Sequence, residues 1–313
     1  MMRAAVVDQN APGHVALREV ETPVPASDEA LVRVAATSLT PQEVFYSQSQ
    51  GPNKLVGCDL AGVVERAAAD GSGPKKGTRV IGRVITGAWA ELVAAPTNAL
   101  AELPDDVSFE QGATLPTSAL TALYVLERGG SLIGQSVLIT AANGAVGLYA
   151  CQLAKLMGAR LIGQVREDKY VDKVIRAGAD HVVIDEEGKA ASDFGPYMLI
   201  ADAVGGPVFT NCVNMLDTDG VYVVYGNVSR QDATLSFWPF IERTRASIYA
   251  FIISNEFPMK PASKGLARLV EMVSQGKLKT QISLEEQAEK IDSVVQDVSE
   301  HRVEGKAVIR MWM

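Results

Sequence analysis

The sequence predicts an α/β protein in which a doubly wound parallel sheet is inserted into a β-rich lobe. Short strands and turns dominate up to about Pro116, whereas strands and helices alternate from Leu120 to about Ser254. Repeated strand–helix units of this kind build a parallel sheet with helices on both faces. Within the alternating segment, a turn rich in small residues joins an apolar strand to a helix near residue 144.

The β-rich lobe is predicted from its short apolar runs. We expect its strands at residues 30–35, 62–66, 79–83 and 91–94. A run of glycine, serine, proline and lysine at residues 71–77 separates two of them, which is typical of a solvated turn between strands.

The turn in the alternating segment has the pattern of a dinucleotide-binding fingerprint. Small residues stand at Ala142, Gly144 and Gly147, directly after the apolar strand expected at residues 137–140. The first permits a tight turn, the second lets the backbone approach a pyrophosphate, and the third lets the helix pack close to the strand.

The helix after this turn should direct its first backbone N–H groups toward the phosphates. Its inward face is predicted to consist of large apolar residues, namely Val146, Tyr149, Leu153 and Leu156. Gly158 should end the helix, and the apolar run at residues 161–165 then completes a βαβ unit. The alternative is a strand, turn and helix that pack together without binding a ligand.

The residues after the second strand of this unit bear on the choice of cofactor. NAD-binding units place an acid there to hold the ribose 2′-hydroxyl, whereas this chain has Arg166 followed by Lys169. A guanidinium binds a 2′-phosphate through paired hydrogen bonds, so NADPH is favoured over NADH. Glu167 and Asp168 leave NADH open as the alternative, although acids also suit the first turn of a helix.

The remaining elements follow from the same patterns. Further strands are expected at residues 181–184, 198–203, 221–226, 247–253 and 306–311. A helix at residues 261–275 should end at Gly276. A second helix is expected to begin with a capping box formed by Ser283 and Glu286.

The composition is that of an ordinary soluble enzyme. With 313 residues, of which 47% are hydrophobic and 21% charged, the chain can form two domains with separate cores. We expect them at residues 1–117 with 258–313 and at residues 118–257. The net charge of −8 argues against nucleic acid and membrane surfaces as partners. The three cysteines form no C-x-x-C pair and favour the cytoplasm.

Several short segments occur together in the order found in one known family. They are 57–62 (GCDLAG), 115–122 (LPTSALTA), 141–147 (AANGAVG), 202–206 (DAVGG), 225–227 (YGN) and 305–308 (GKAV). With them the chain resembles, over essentially its full length, the zinc-free quinone oxidoreductases (zeta-crystallin-like proteins) of the medium-chain dehydrogenase/reductase superfamily. The resemblance implies a GroES-like catalytic domain and a Rossmann NADP-binding domain. It also implies a homodimer that transfers hydride from NADPH to a quinone or another conjugated carbonyl.

The resemblance further implies which residues bind the cofactor, in addition to Arg166 and Lys169. At the pyrophosphate turn they are Asn143, Gly144, Ala145 and Val146. Along the adenosine and ribose they are Val204, Tyr225, Gly226 and Asn227. At the nicotinamide end they are Thr121, Phe251 and Ile252. The apolar residues among them would also suit the core of any such sheet, and Thr121 would suit an ordinary early position in a helix.

The chain departs from the family near residue 40. Thr40 replaces an asparagine found in many relatives, and Glu43 replaces an aspartate. Thr40 can only partly replace the amide, and Tyr46 could donate a hydrogen bond to a substrate carbonyl, so these two are the candidate catalytic residues. The alternative for Tyr46 is an exposed loop tyrosine without such a role. Thr40 also stands where zinc-dependent relatives carry their first cysteine, and we expect no metal.

Two other functions stay open. The same fold could reduce an alkenal or an enoyl thioester, or the chain could bind NADPH without catalysis. Activity on an enal but not on a quinone would favour the first alternative, and cofactor binding without turnover would favour the second.

Overall fold

The computed structural model describes residues 1–300 and 302–311, so His301, one of the three histidines, lies outside the described residues. The chain divides into two compact units, Met1–Leu120 together with Glu256–Met313, and Thr121–Asn255. The second unit is therefore inserted into the first along the chain. The structure divides the chain at 120/121 and 255/256. The domain limits expected from the sequence, 117/118 and 257/258, lie within three residues of these positions.

The elements are numbered in chain order over the described residues. The strands are β1 (Met2–Val7), β2 (Val15–Val20), β3 (Glu29–Leu39), β4 (Asp59–Arg66), β5 (Arg79–Arg83), β6 (Leu92–Pro96), β7 (Leu100–Glu102), β8 (Ser136–Ile139), β9 (Arg160–Val165), β10 (His181–Ile184), β11 (Tyr197–Asp202), β12 (Leu216–Val224), β13 (Ser247–Ala250), β14 (Ile282–Gln287) and β15 (Lys306–Arg310). The helices are α1 (Pro41–Gln48), α2 (Phe109–Ala113), α3 (Leu120–Glu127), α4 (Ala145–Leu156), α5 (Val171–Arg176), α6 (Gly206–Cys212), α7 (Phe237–Glu242), α8 (Ile253–Glu256), α9 (Ala262–Ser274) and α10 (Ile291–Ser299). Within these described ranges, no helix combines the length and the apolar character needed to cross a membrane.

The second unit is built on a parallel sheet with the strand order β10-β9-β8-β11-β12-β13. The chain starts in the middle with β8, adds β9 and β10 on one side, and then adds β11, β12 and β13 on the other. This confirms the predicted doubly wound sheet. The reversal of direction between β8 and β11 creates a switch point at the carboxyl ends of the strands, where open α/β sheets bind ligands.

The strands of this sheet follow the apolar runs of the sequence. β10 has the predicted bounds, and β9 begins one residue earlier than expected. The last strand was expected to continue to residue 253, but β13 ends at Ala250 and α8 begins at Ile253. β13 lies at the edge of the sheet and pairs with β12.

The first unit is built on a sheet with the order β14-β15-β3-β4-β5-β7, and β6 also pairs with β3. Most of its pairs are antiparallel, whereas β14 and β15 are parallel. Its hydrophobic core contains residues from both parts of the unit, including Val32 from before the insertion and Val295 from after it. This fold confirms the predicted β-rich domain.

The segment after the insertion contains one confirmed helix and one error. α9 is followed by Gly276, whose φ of +68° ends the helix as predicted. The capping box of Ser283 and Glu286 is wrong, because both residues lie in β14, and the Ser283 hydroxyl donates to the Glu304 carbonyl at 2.6 Å. The exposure of β14 alternates along the strand, so pairing with β15 outweighs the local capping pattern and the helix begins only at Ile291.

Small residues, not only large ones, form the inward face of α4. Gly147, Ala150, Cys151 and Ala154 recur at helical spacing and are all buried. Leu156, predicted to face inward, is 49% exposed at the last turn. The helix thus packs closely on the sheet through residues with little or no side chain.

Candidate nucleotide site and polar cluster

The turn between β8 and α4 is the centre of the candidate site in the second unit. Its left-handed residue is Ala141, with a φ of +46°, one position before the expected Ala142. Ala142 is fully buried against β9. A Cβ added to Gly163 of that strand would lie 3.1 Å from the Ala142 Cβ. The Gly144 N–H donates to the Ala141 carbonyl at 2.9 Å and closes the turn.

The two glycines of the turn have different surroundings. A Cβ at Gly147 would lie 2.5 Å from the carbonyl oxygen of Ala141 and 2.8 Å from the backbone of Ala142, and neither neighbour can move aside easily. Among the described residues, a Cβ at Gly144 would meet only the Ala141 oxygen, at 3.2 Å. Gly147 therefore allows close packing of α4, whereas a Cβ at Gly144 would make one tight contact and require only a small shift.

The predicted pyrophosphate residues lie together at this turn. Asn143 is partly buried in the turn, Gly144 is the N-cap of α4, and Ala145 and Val146 are its first two residues. The first hydrogen bond inside the helix runs from the Leu148 N–H to the Gly144 carbonyl at 2.9 Å. The preceding N–H groups are thus those that an anion at the helix N-terminus would meet.

Gln164 of β9 holds the turn in position, a role that the sequence interpretation missed. Its Oε1 accepts from the Ala141 N–H at 3.1 Å, and its backbone carbonyl accepts from the Ala142 N–H at 3.0 Å. Its side-chain amide donates to the Asp185 carbonyl. The signal available in the sequence was an amide side chain within an otherwise apolar strand, here only 1% exposed.

Asp202, the last residue of β11, organises the neighbouring turn. Its buried carboxylate accepts hydrogen bonds from the hydroxyls of Thr140 at 2.7 Å and Tyr222 at 2.9 Å. It also accepts from the backbone N–H groups of Val204 at 2.8 Å and Gly205 at 3.1 Å. One side chain thus connects the carboxyl ends of three neighbouring strands. Val204, a predicted cofactor residue, is held in this turn by its backbone.

A cavity of about 300 Å³ lies beside the same turn. Its lining includes Gly205, Phe209, Gly226 and Asn227, so two of the predicted adenosine and ribose residues face it. A Cβ at Gly226 would lie 2.7 Å from the Ala203 carbonyl oxygen. Glycine at this position lets the ends of β11 and β12 come close enough to form one wall.

Tyr225, also predicted to bind the cofactor, turns its hydroxyl into the protein. The hydroxyl is buried and has no hydrogen-bond partner among the described residues. Burial raises its pKa, and the nearby Asp202 and Cys151 raise the pKa further. Its backbone N–H donates to the Asp202 carbonyl at 2.9 Å, so neither this N–H nor the hydroxyl is available to a ligand in this conformation.

Arg166 and Lys169 follow β9, the strand beside β8, and both are exposed. Lys169 forms an ion pair with Glu167 at 3.3 Å and lies 4.8 Å from the centre of the Tyr170 ring. Hydrogen bonds to Tyr170 and Glu167 raise the pKa of Lys169. The two cations and Gly144 therefore lie at the carboxyl ends of adjacent parallel strands.

The predicted nicotinamide residues differ in how accessible they are. Thr121, in the first turn of α3, is 6% exposed. Phe251 is buried, and its N–H donates to the Val224 carbonyl at 2.8 Å, whereas Ile252 is 60% exposed. Phe251 therefore retains only its carbonyl for a ligand.

In the first unit, Thr40 and Tyr46 belong to α1. The Thr40 hydroxyl caps the helix by accepting from the Glu43 N–H at 3.2 Å, and it donates to the Glu43 carboxylate at 3.2 Å. Tyr46 is 54% exposed and lies on the helix, not in a loop. The two candidate catalytic residues thus share a short helix, one at its buried start and the other on its surface.

A buried polar cluster lies next to this helix. Asp59, at the start of β4, accepts from the Lys306 ammonium at 3.2 Å and the Ser38 hydroxyl at 3.1 Å through one oxygen. Its other oxygen accepts from the Thr117 hydroxyl at 2.5 Å. Asp59 and Lys306 are both fully buried. The sequence interpretation missed this pair, whose members are 247 residues apart.

Glu43 is the second buried carboxyl of the cluster. Its Oε1 accepts from the Cys58 N–H at 3.1 Å. Burial and the nearby Asp59 raise the pKa of Glu43 from 4.5 to about 7, against the opposing effects of Lys306 and Arg83. Glu43 is therefore a proton-carrying group near neutral pH.

Potential metal ligands do not converge. Within residues 1–300 and 302–311, no group of three or more histidine, cysteine, aspartate or glutamate side chains could hold a metal ion. Cys58, Cys151 and Cys212 are buried, unpaired thiols. Burial, followed by the nearby Glu43, strongly raises the pKa of the Cys58 thiol.

Known proteins of similar sequence include quinone oxidoreductases and acryloyl-coenzyme A reductases. The quinone oxidoreductase of Pongo abelii is 32% identical over 171 residues, which are 52% of this chain and 52% of that protein, so this alignment spans about half of its length. The acryloyl-coenzyme A reductase of Sulfurisphaera tokodaii is 27% identical over 261 residues, which are 72% of this chain and 77% of that protein.

Solved structures match nearly the whole chain. The quinone oxidoreductase from Coxiella burnetii is 26% identical, with a TM-score of 0.83 over 99% of both chains. A mycobacterial protein solved in complex with NADPH is 22% identical, with a TM-score of 0.86 over 99% of this chain and 100% of that one, and shows the shared fold.

The parallel sheet with its glycine turn, inserted into a β-rich unit, defines a two-domain protein of the dehydrogenase and reductase type. Residues 26–105 match the family "Alcohol dehydrogenase GroES-like domain", and residues 145–271 match "Zinc-binding dehydrogenase". The chain belongs to the quinone oxidoreductase group of the medium-chain dehydrogenase/reductase superfamily. The family and the two domain folds expected from the sequence are confirmed.

Proposed function

We propose that this chain is an NADPH-dependent reductase that transfers hydride to a quinone or another conjugated carbonyl without zinc. The observation that carries this proposal is the turn at residues 141–147, which is hydrogen-bonded to Gln164, has no side chain at Gly144 and lies at the N-terminus of α4. Such a turn binds a pyrophosphate through backbone N–H groups. The names of the quinone oxidoreductase relatives and the NADPH complex of the mycobacterial protein support the same conclusion.

The preference for NADPH over NADH rests on Arg166. It is exposed and follows the strand next to the pyrophosphate turn, where the fingerprint places the group that reads the ribose. Lys169 supports it with a second positive charge, although Glu167 partly compensates that charge. A 2′-phosphate would gain paired hydrogen bonds from the guanidinium, whereas a 2′-hydroxyl would not.

The protein's own contribution to the reaction is chiefly binding and orientation. When bound, NADPH supplies the hydride. The turn at residues 141–147 and the Asp202 turn would hold the cofactor, and Thr121 and the Phe251 carbonyl would orient the nicotinamide end. Holding the two reactants close together and keeping water out can account for much of the rate enhancement.

A zinc ion does not fit the residues at the position expected for it. The Thr40 hydroxyl is occupied as the cap of α1, and the Cys58 Sγ donates to the Ile85 carbonyl at 3.2 Å. A catalytic zinc also takes three protein ligands, and within the part of the chain that the structure describes no group of three or more histidine, cysteine, aspartate or glutamate side chains could hold one. The proposed reaction therefore uses no metal.

An enoyl thioester or an alkenal is the second candidate substrate. The acryloyl-coenzyme A reductase relative supports it, with 27% identity over 72% of this chain. Both candidates accept hydride at an electron-poor carbon conjugated to a carbonyl. A panel of quinones, enals and enoyl thioesters assayed with NADPH distinguishes them.

We also propose a homodimer formed through the edge strand β13. Exposed apolar side chains lie on this strand and on the preceding helix, including Ile248, Phe237 and Trp238 at 39%, 69% and 71% exposure. An edge strand beside such a patch is suited to pairing with a second copy. We propose a cytoplasmic location, which the three unpaired thiols support.

Parallel titrations with NADPH and NADH test the cofactor assignment. We expect wild-type protein to bind NADPH at least tenfold more tightly, which corresponds to ~1.4 kcal/mol. Arg166→Ala should remove this preference, while Arg176→Ala, a change outside the site in the same unit, should keep it. Equal affinities in the wild type would make Glu167 or Asp168 the ribose ligand, and no binding of either nucleotide would reject the proposal.

A further inference from the structure

Glu43 is a buried carboxyl for which the proposed hydride transfer has no use. It is 7% exposed and lies one helical turn after Thr40. Its two oxygens are engaged differently, since Oε1 accepts from the Cys58 N–H and Oε2 pairs with the Thr40 hydroxyl. The carboxyl is thus held by one fixed donor and one hydroxyl that can either donate or accept.

The protonation state of Glu43 sets the direction of the Thr40 hydrogen bond. When Glu43 is ionised, the Thr40 hydroxyl must donate to the carboxylate. When Glu43 is protonated, its own O–H can donate to Thr40, and the threonine hydrogen becomes free to donate to another group. The Glu43 N–H remains bonded to the Thr40 oxygen in both cases.

Burial and the neighbouring Asp59 keep a proton available on Glu43 at neutral pH. The groups that face it are Asp59 of β4, Lys306 of β15, Arg83 of β5 and the Cys58 thiol. Lys306 is paired with Asp59 at 3.2 Å, and the Arg83 guanidinium donates to the Thr117 hydroxyl at 3.1 Å. Both cations have other partners, and their opposing effect leaves the pKa of Glu43 raised to about 7 by burial and by Asp59.

Two exposed side chains, one aromatic and one aliphatic, belong to segments that contact this pair. Tyr46 lies three residues after Glu43 on the same helix and is 54% exposed. Ile85, whose carbonyl accepts from the Cys58 thiol, is 78% exposed. These side chains offer apolar surface against which a flat conjugated molecule could pack.

We propose that Glu43 supplies, through the Thr40 hydroxyl, the proton that completes the reduction of a conjugated carbonyl. Hydride from NADPH forms the new C–H bond at the β-carbon, and the electron pair of the double bond moves to give an enolate. The Thr40 O–H bond breaks as its proton passes to the enolate, and Thr40 receives the Glu43 proton at the same time. The products are the saturated carbonyl, NADP⁺ and the Glu43 carboxylate, which is reprotonated from solvent.

In this scheme Thr40 is the catalytic residue and Glu43 acts through it. The inference rests on the proposed function, since it needs hydride transfer to an enone. It gives a reason for burying an acid at the start of α1. A carboxylate exposed to solvent would cost less free energy of folding. It also makes no demand on Tyr46 beyond packing.

The Glu43→Gln variant tests the proposal. Glutamine can keep both hydrogen bonds, accepting from Cys58 and donating to Thr40, but it cannot deliver a proton. In the wild type, kcat with an enone should fall as the pH rises through about 7, because the protonated acid is required. The variant should lose about 100-fold in kcat, and its pH profile should be flat in this range.

A second readout uses the protein without cofactor. Infrared titration should show a carboxylic acid band that disappears near pH 7 in the wild type and is absent in Glu43→Gln. Glu65→Gln, a change at a half-exposed ion pair with Arg33 in the same unit, should retain the band, the rate and the pH profile. Thr40→Ser keeps the hydroxyl and should retain the pH profile.

The outcomes separate this inference from the proposed function. If the wild type reduces an enone but Glu43→Gln keeps its rate or its pH dependence, the proton route is rejected and the reductase function stands. If the infrared band persists in Glu43→Gln, the proton belongs to another group and the proposal is also rejected. If the wild type reduces no enone, quinone or enoyl thioester with NADPH, both proposals fail.

Discussion

The two glycines of the turn at residues 141–147 serve two different purposes, the packing of α4 and the approach of a ligand. Gly147 is required by the packing of α4, because an added Cβ would meet backbone atoms of Ala141 and Ala142. A Cβ at Gly144 would make a single contact, 3.2 Å from the Ala141 oxygen, so we expect its lack of a side chain to matter for a ligand more than for the fold. The same sequence pattern therefore contains one structural and one binding glycine.

Alanine substitutions should show this division. We expect Gly147→Ala to lower the free energy of unfolding by about 1–3 kcal/mol through overpacking. Gly144→Ala should cost less than about 1 kcal/mol but weaken NADPH binding at least tenfold. Urea unfolding and fluorescence titration measure the two effects. Gly51→Ala, at a glycine with no atom within 4 Å of an added Cβ, is the control, and equal effects of the two site variants would contradict the assignment.

Glu43 should also leave a signature in folding stability. Its pKa is raised from 4.5 to about 7 on folding, so the unfolded chain ionises first as the pH rises. The resulting loss of free energy of unfolding is absent below pH 4.5, grows between pH 4.5 and 7, and reaches about 3 kcal/mol above that range. Glu43→Gln should therefore be more stable than the wild type at pH 8 but not at pH 4.5. Urea unfolding of both proteins across this pH range checks the prediction. A free energy of unfolding that changes with pH in the same way in both proteins would contradict it.

At the scale of elements, side chains that end one strand hold the turn of another. Gln164 of β9 fixes the turn after β8, and Asp202 of β11 binds Thr140 after β8 and Tyr222 of β12. The carboxyl ends of these strands, which face the candidate ligand, are thus connected to one another by hydrogen bonds. This arrangement pre-organises the backbone groups that the proposed cofactor needs.

Removing the charge of Asp202 tests this connection. Asparagine can replace only some of the four accepted hydrogen bonds, so Asp202→Asn should lower the free energy of unfolding by about 1–3 kcal/mol. NADPH binding should weaken as well, because the Val204 and Gly205 backbone loses its anchor. Asp172→Asn, at an exposed position on α5, should change neither in urea unfolding and titration. Unchanged NADPH affinity in a destabilised Asp202→Asn would restrict Asp202 to a structural role.

The elements also show where sequence patterns are sufficient. β5 and β10 have their predicted bounds, because short apolar runs with clear flanking turns specify strands. The Ser283–Glu286 pattern failed, because pairing with β15 is a tertiary effect that a local capping pattern does not contain. The Asp59–Lys306 pair and the Glu43 environment were missed for a related reason, since burial of these charges depends on partners remote in sequence.

At the scale of the whole molecule, the edge strand predicts how copies associate. We expect light scattering to give the mass of a dimer for the wild type. Trp238→Glu and Ile248→Lys should shift it toward the monomer, because a charge would be buried in the interface. Ile133→Lys, at another exposed apolar residue of the same unit, should remain dimeric. A monomeric wild type would contradict the proposal.

The ion pair of Lys306 with Asp59 has a consequence for biosynthesis. The ribosome releases β4 early, but β15 emerges only after all of Thr121–Asn255 has been made. Until then the nascent first unit carries a carboxylate whose buried counter-charge does not yet exist. The inserted unit is continuous in the chain and is complete first. Synthesis therefore imposes an order in which the middle of the chain matures before its beginning.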